Sequence, residues 1–227
     1  MKFLTARNAD NIVYNFFIIW ACVGVLTLLA NLHPLPWWIR WADAFFIVLG
    51  AANTLLSLAA RDGWRAALTG ACIIIAGSGA VEWIGATTGQ PFGSYEYVSD
   101  RFGWRIFGVL PFTIPLAWFT ILGCGHSLAC LIFRTRPRLL CALVTAVIAT
   151  GLDWVMEPFA WLVKGYWVWN TPAVPVQNYA AWFTTSLLLT LCSPWGGRPI
   201  SRFDPRPAVV LGAMLVTFII GRLRHGV

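Results

Sequence analysis

Apolar residues gather in seven stretches along this chain, at about 13–32, 42–60, 66–84, 115–133, 139–157, 175–192 and 208–221, and polar residues collect in the short segments between them. A helix rises 1.5 Å per residue, so about 20 apolar residues cross the ~30 Å hydrocarbon layer of a bilayer. The pattern therefore predicts an all-α integral membrane protein, a single domain over 1–227 built as a bundle of about seven transmembrane helices. The last stretch is the shortest. The first follows Lys2 and Arg7, outruns a signal-peptide core and has no small-x-small cleavage site before His33, so it is expected to stay on the protein as an anchor. The segments between stretches are too short to hold a soluble domain.

Composition agrees with that pattern. Of the 227 residues 59% are hydrophobic and 11% charged, against roughly 25% charged in soluble domains. The net charge of +7 comes from basic residues scattered between apolar stretches, the distribution of positive-inside loops, and not from a face that would bind nucleic acid. With seven spans and the amino terminus in the cytoplasm, ten Lys or Arg lie on the inner side and six on the outer, which favours this orientation in the cell membrane. Asp43, Glu82, Glu96, Asp100, Asp153 and Glu157 then share the outer end of the bundle, and Asp10, Asp62 and Asp204 the inner end. Only the alternation of spans is needed to bring those six acids to one end.

Two segments, 82–119 and 153–183, repeat an order of features. Glu82-Trp83-Ile84 answers to Asp153-Trp154-Val155, Gly93, Tyr95 and Tyr97 to Gly165, Trp167 and Trp169, and Ala117-Trp118-Phe119 to Ala181-Trp182-Phe183. Each segment reads as helix, aromatic loop and Pro-started helix. Such a repeat relates two helix pairs of like orientation by an axis along the membrane normal, and sites commonly form where repeats meet. Glu82 and Asp153 are expected to face each other across that axis. With 14 tryptophans in the chain, chance is the competing explanation.

An acid within a span faces the bundle interior or a wet cavity and is a functional candidate by default. Glu82 closes the third span; Asp153 and Glu157, four apart on the fifth, share one helix face. The plainer alternative places all three in the headgroup zone, paired with Arg101, Arg105 or Lys164. In the loop Pro91 to Tyr97, alternation puts Tyr95 and Tyr97 on one side of an extended segment. These rings, with Trp154, Trp161, Trp167, Trp169 and Trp182, form either an interfacial aromatic belt or the wall of a site for an apolar substrate, where ring faces stabilise positive charge. Gln177 and Asn178 add amides at the mouth of the sixth span.

Several chemistries lack their residues. His33, His126 and His225 are far apart with no HxxxH grouping, the six cysteines show no CxxC or CxxH spacing, and there is neither a glycine-rich nucleotide fingerprint nor a DxxD pair. His126 reads as a hydrogen-bonded core residue and the cysteines as small core hydrophobes. No metal and no cofactor is expected. Carboxyl groups, aromatic rings, amides and water remain, which suits acid–base work on an apolar substrate.

Taken in order, Glu82-Trp83-Ile84-Gly85, then Gly89-Gln90-Pro91-Phe92-Gly93-Ser94-Tyr95-Glu96-Tyr97, Gly108-Val109 and Ile114-Pro115-Leu116-Ala117-Trp118 form a distinctive series. It continues through Asp153-Trp154-Val155-Met156-Glu157-Pro158, Trp167-Val168-Trp169 and Val174-Pro175-Val176-Gln177-Asn178-Tyr179 with Trp182. Over about residues 80–183 the chain resembles the carotenoid biosynthesis membrane proteins, which include the carotenoid 1,2-hydratases and bisanhydrobacterioruberin hydratase. It departs from their pattern in an inserted Leu110 and a short loop before Pro175. The resemblance implies addition of water to the terminal double bond of an acyclic carotenoid end group, giving a tertiary alcohol, and admits association with other enzymes of the same pathway. Protonating an alkene needs a neutral acid, and a carboxyl group held away from water keeps its proton. Asp153 or Glu82 is the expected acid, and the other, or Glu157, the base that orients water. Tyr95, Tyr97, Trp118, Trp154, Trp167, Trp169, Gln177 and Asn178 are the expected substrate-binding residues. Cyclisation or isomerisation of the same end group, and a non-catalytic carotenoid or lipid carrier or proton-coupled transporter, are the competing readings.

Overall fold

A computed structural model of the protein describes residues 6–30, 32, 39, 41–98, 102–133, 137–196 and 204–227. Among these, seven α-helices run in chain order: α1 Ala6–Leu29, α2 Ala42–Asp62, α3 Trp64–Thr88, α4 Thr113–Ile132, α5 Arg138–Pro158, α6 Val176–Cys192 and α7 Arg206–His225. Each covers one of the apolar stretches. Six of them, all but α6, are long and apolar enough to cross a membrane. At 17 residues, α6 rises only about 26 Å. The stretch that looked shortest in the sequence instead forms a 20-residue helix, because α7 extends past it through Arg222, Arg224 and His225.

Helix α5 does not stop at Pro158. It passes into one turn of π-helix, Phe159–Lys164, and ends at Gly165, whose φ of +59° is the left-handed conformation that caps helices. Gly221 of α7 lets this turn approach closely, since a Cβ there would run into the Phe159 ring.

Helices α3, α4, α5 and α6 pack in a ring, each against the next and α6 back against α3, while α2 and α7 pack on α4 and α1 covers α2 and α7. Above the ring, at the end where α3 and α5 finish and α4 and α6 begin, lie two short antiparallel ladders. Strand β1 (Tyr95–Tyr97) pairs with β4 (Trp167–Trp169), and β2 (Arg105–Ile106) with β3 (Leu110–Pro111). Leu110, out of place against the family pattern, sits in β3 opposite Ile106.

The repeat seen in the sequence has a physical counterpart. In the β1–β4 ladder Tyr95 pairs with Trp169, Glu96 with Val168 and Tyr97 with Trp167. Exchanging the halves turns the first of these pairs into the third. Trp118 and Trp182, which answer to one another in the repeat, stack at a centroid distance of 3.8 Å and an interplanar angle of 12°. Equivalent residues meet at a pseudo-two-fold axis that runs along the ring of helices.

The acids divide between the two ends as expected. Asp43, Glu82, Asp153 and Glu157 line one cavity at the ladder end, while Arg206 pairs with both Asp10 and Asp204, and Asp62 with Arg61, at the other. Asp100 lies outside the described residues. His126, 5% exposed, belongs to the far end, where its Nδ1 is 3.2 Å from an Arg61 guanidinium nitrogen. The six cysteines are free thiols.

Candidate active site

Glu82 sits six residues, about 9 Å of helix rise, before the end of α3. Helix α3 ends at Gly89, whose N–H bonds the Gly85 carbonyl at 2.7 Å in a left-handed cap. The chain then doubles back, so that β1 carries Tyr95 and Tyr97 over the helix end. Strand alternation turns both phenols inward while Glu96 faces out. Each phenol donates to Glu82 Oε2 at 2.7 Å, and the Trp118 indole of α4 donates to Oε1 at 2.8 Å. Burial first, and the adjoining carboxyl group second, hold both phenols well above the ordinary phenol range, so they keep their protons and act as donors.

Gly85 makes this approach sterically feasible. A Cβ at that position would lie 2.6 Å from Phe92 and 3.1 Å from Tyr95 Oη. In Gly85→Val both rings must shift, and the expected cost is about 1–3 kcal/mol of stability, typical of overpacking, together with loss of the Tyr95–Glu82 bond. Thermal unfolding in detergent checks this; an unchanged midpoint would show that the rings have room to move.

The second half mirrors the first with different donors. Trp167 and Trp169 of β4 each donate an indole N–H to Glu157 Oε2 at 3.0 Å. Asp153, one helical turn earlier on the same face of α5, accepts from Asn178 Nδ2 of α6 at 2.8 Å through Oδ2. Its other oxygen, Oδ1, is buried without a hydrogen-bond partner. By hydrogen-bond pattern the equivalent of Glu82 is Glu157, which like Glu82 takes two strand donors on one oxygen; Asp153 is its counterpart only by position in the repeat.

All three acids line one cavity, whose walls include Phe92, Trp118, Tyr166 and Trp182. Among the described residues no Lys or Arg forms a salt bridge with Glu82, Asp153 or Glu157. Lys164 pairs with Asp43 at 2.9 Å, and Arg105 donates to the Tyr97 carbonyl at 2.8 Å. Arg101 lies outside the described residues. Among the described residues, the side chains that donate to these acids are all neutral.

Glu82, Asp153, Glu157, Tyr95, Tyr97, Trp118, Trp167, Trp169 and Asn178, all singled out from the sequence, meet in this chamber. Two candidates do not. Trp154 is 59% exposed on the outside of the bundle, with the Arg222 guanidinium 5.7 Å from its ring. Gln177 is exposed and bonds the Pro91 carbonyl at 3.2 Å, tying α6 to the loop. Phe92 and Tyr166 join the wall, and so does Trp182, one of the rings for which the belt and the wall were both open. Trp182 had two signals, its equivalence to Trp118 in the repeat and its place four residues beyond Asn178 on the same helix face.

An apolar chamber holding three carboxyl groups, one with a fully buried oxygen that has no partner, has the groups needed to move a proton onto or off an apolar molecule. Among the described residues no cluster of three His, Cys, Asp or Glu side chains is placed to hold a metal ion.

The sequence matches the family described as carotenoid biosynthesis protein over residues 42–224. It is similar to the bisanhydrobacterioruberin hydratase of Haloarcula japonica, with 28% identity over 195 residues, covering 81% of this chain and 64% of that protein. The chain thus spans less than two thirds of that relative's length. No solved structure matches it. The family match takes in every chamber residue from α2 to α7, and the chain belongs to the carotenoid biosynthesis protein family.

Proposed function

We propose that this protein is a hydro-lyase acting in the membrane on the end group of an acyclic carotenoid, adding water across the terminal trisubstituted double bond to give a tertiary alcohol. The observation that carries the reading is the contrast among the three acids. Both oxygens of Glu82 accept hydrogen bonds, from three donors in all, whereas Asp153 Oδ1 is buried and without a partner. Three donors and no acceptor suit a carboxylate; a lone oxygen facing an apolar cavity suits a carboxyl group that carries a proton to give.

In this mechanism Asp153 protonates the alkene carbon that bears hydrogen, which leaves the cation on the dimethyl-substituted carbon. The Glu82 carboxylate and the faces of the chamber's aromatic rings stabilise that cation. Water held by Glu157 adds to it and gives up a proton to Glu157. Transfer of that proton back to Asp153, one turn away on α5, restores the starting state. One water is consumed and no electrons are exchanged, so the reaction balances without oxidant or cofactor. The similarity to a protein named as a bisanhydrobacterioruberin hydratase supports the choice of water addition, and the arginine distribution supports a chamber at the outer face.

The test is incubation of detergent-solubilised protein with an acyclic carotenoid, anaerobically and after chelation, in water labelled with heavy oxygen and deuterium. Hydration places one labelled oxygen and one carbon-bound deuterium in each converted end. Deuterium without oxygen, in an isomer of the substrate, would identify a cyclase or isomerase. Unaltered substrate would leave the carrier as the better reading.

A further inference from the structure

On the side of α2 and α7 the chamber borders a second cavity. Asp43, Phe46, Lys164 and Thr217 line both. The far wall of the second cavity is α1, through Trp20, Ala21, Gly24, Thr27 and Leu28. The opposite face of α1 exposes Ile19, Leu26 and Leu29, as a helix bordering lipid would. The two cavities therefore adjoin at Asp43, Phe46, Lys164 and Thr217, between the carboxyl groups and the edge of the bundle.

We propose that the groove along α1 binds the isoprenoid chain trailing from the end group in the chamber, with the Lys164–Asp43 pair marking the threshold between them. This rests on the chamber being the end-group site. The chamber occupies one end of a ring of four helices, too short a space for a whole polyene, so a long polyene with its end group beside Asp153 must leave by an opening. The ladder end is roofed by the paired strands β1 and β4, with Tyr95, Tyr97, Trp167 and Trp169 all buried. The α1 groove borders the chamber and is mostly apolar, so it is the exit the proposal assigns.

The charges at the threshold are matched to such a passage. Lys164 Nζ lies 3.0 and 2.9 Å from the two Asp43 oxygens, which neutralises an ammonium that would otherwise oppose positive charge in the chamber. Gly24 keeps the groove wide. A Cβ built there meets nothing within 4 Å, so any larger side chain would extend into the space the proposal assigns to the chain.

The experiment measures turnover of two hydrocarbons with the same end group, lycopene and the ten-carbon 2,6-dimethyloct-2-ene, by the unmodified protein and by Gly24→Phe and Ala21→Phe. Either Phe is expected to lower kcat/KM for lycopene about tenfold or more, through KM, and for the short hydrocarbon less than about twofold. Equal losses with both hydrocarbons, or none with either, overturn the groove. Lycopene binding, read from its absorption shift, needs no turnover. Unmodified protein that binds lycopene but forms no alcohol would refute hydration alone; the groove would then stand on a roughly tenfold weaker affinity in the Phe variants and fall on an unchanged one.

Discussion

Replacing Asp153 with Asn is expected to lower alcohol formation by about 10²- to 10⁴-fold, the usual contribution of a general acid. Asn keeps the volume of the side chain and can still accept from Asn178 through its carbonyl oxygen, so what is lost is the proton facing the chamber. Membrane insertion and abundance should hold, because the variant puts no new charge into the bilayer. The loss should fall on kcat and kcat/KM together, as it does when an interaction made only in the transition state is removed. Wild-type turnover by Asp153→Asn would show that the proton comes from elsewhere and would remove the central step of the mechanism.

The second large effect is expected at Glu82. Glu82→Gln retains an oxygen for the Trp118 indole and presents an NH2 group to the phenols of Tyr95 and Tyr97, which can rotate their hydroxyl groups and accept. Packing is thus preserved while the negative charge beside the cation disappears. Loss of one such preorganised electrostatic contact lowers kcat by about 10²- to 10³-fold. Product analysis and thermal unfolding on the same preparation decide the matter. A slow variant with an unaltered midpoint supports the electrostatic role, whereas a slow variant with a collapsed midpoint would assign Glu82 to holding the ladder in place.

The helices were legible because each apolar stretch is near the length of a span, and the shared end of the acids followed from counting crossings. The inward turn of Tyr95 and Tyr97 was legible because strand alternation has a period of two. The misplaced candidates have an equally local cause. Trp154 follows Asp153 directly and Gln177 precedes Asn178, and neighbours on a helix lie about 100° apart around its axis; proximity in sequence to an inward residue argues for facing away. Applied strictly, the same period would have exchanged Trp154 and Gln177 for Trp182. Other features had no such signal. Asp43 and Lys164 are 121 residues apart and meet only because α1, α2 and the π-helical turn converge. Which oxygen of Asp153 lacks a partner depends on how α6 is set against α5.

The two halves of the chamber differ in what can pass through their hydrogen bonds. A phenol both donates and accepts, so protons can hop along a chain that includes Tyr95 or Tyr97; an indole N–H only donates. Both strand donors on Glu82 Oε2 are phenols, and both on Glu157 Oε2 are indoles. A proton arriving on Glu157 therefore has no exit through Trp167 or Trp169 and can leave only by the carboxyl oxygen they do not hold. Around one pseudo-symmetric frame, the proposed mechanism therefore has one wall whose donors can relay a proton and one whose donors cannot, and the second backs the acid pair on α5. Exchanging Trp167 and Trp169 for tyrosines would make the walls alike and open a leak to the ladder side.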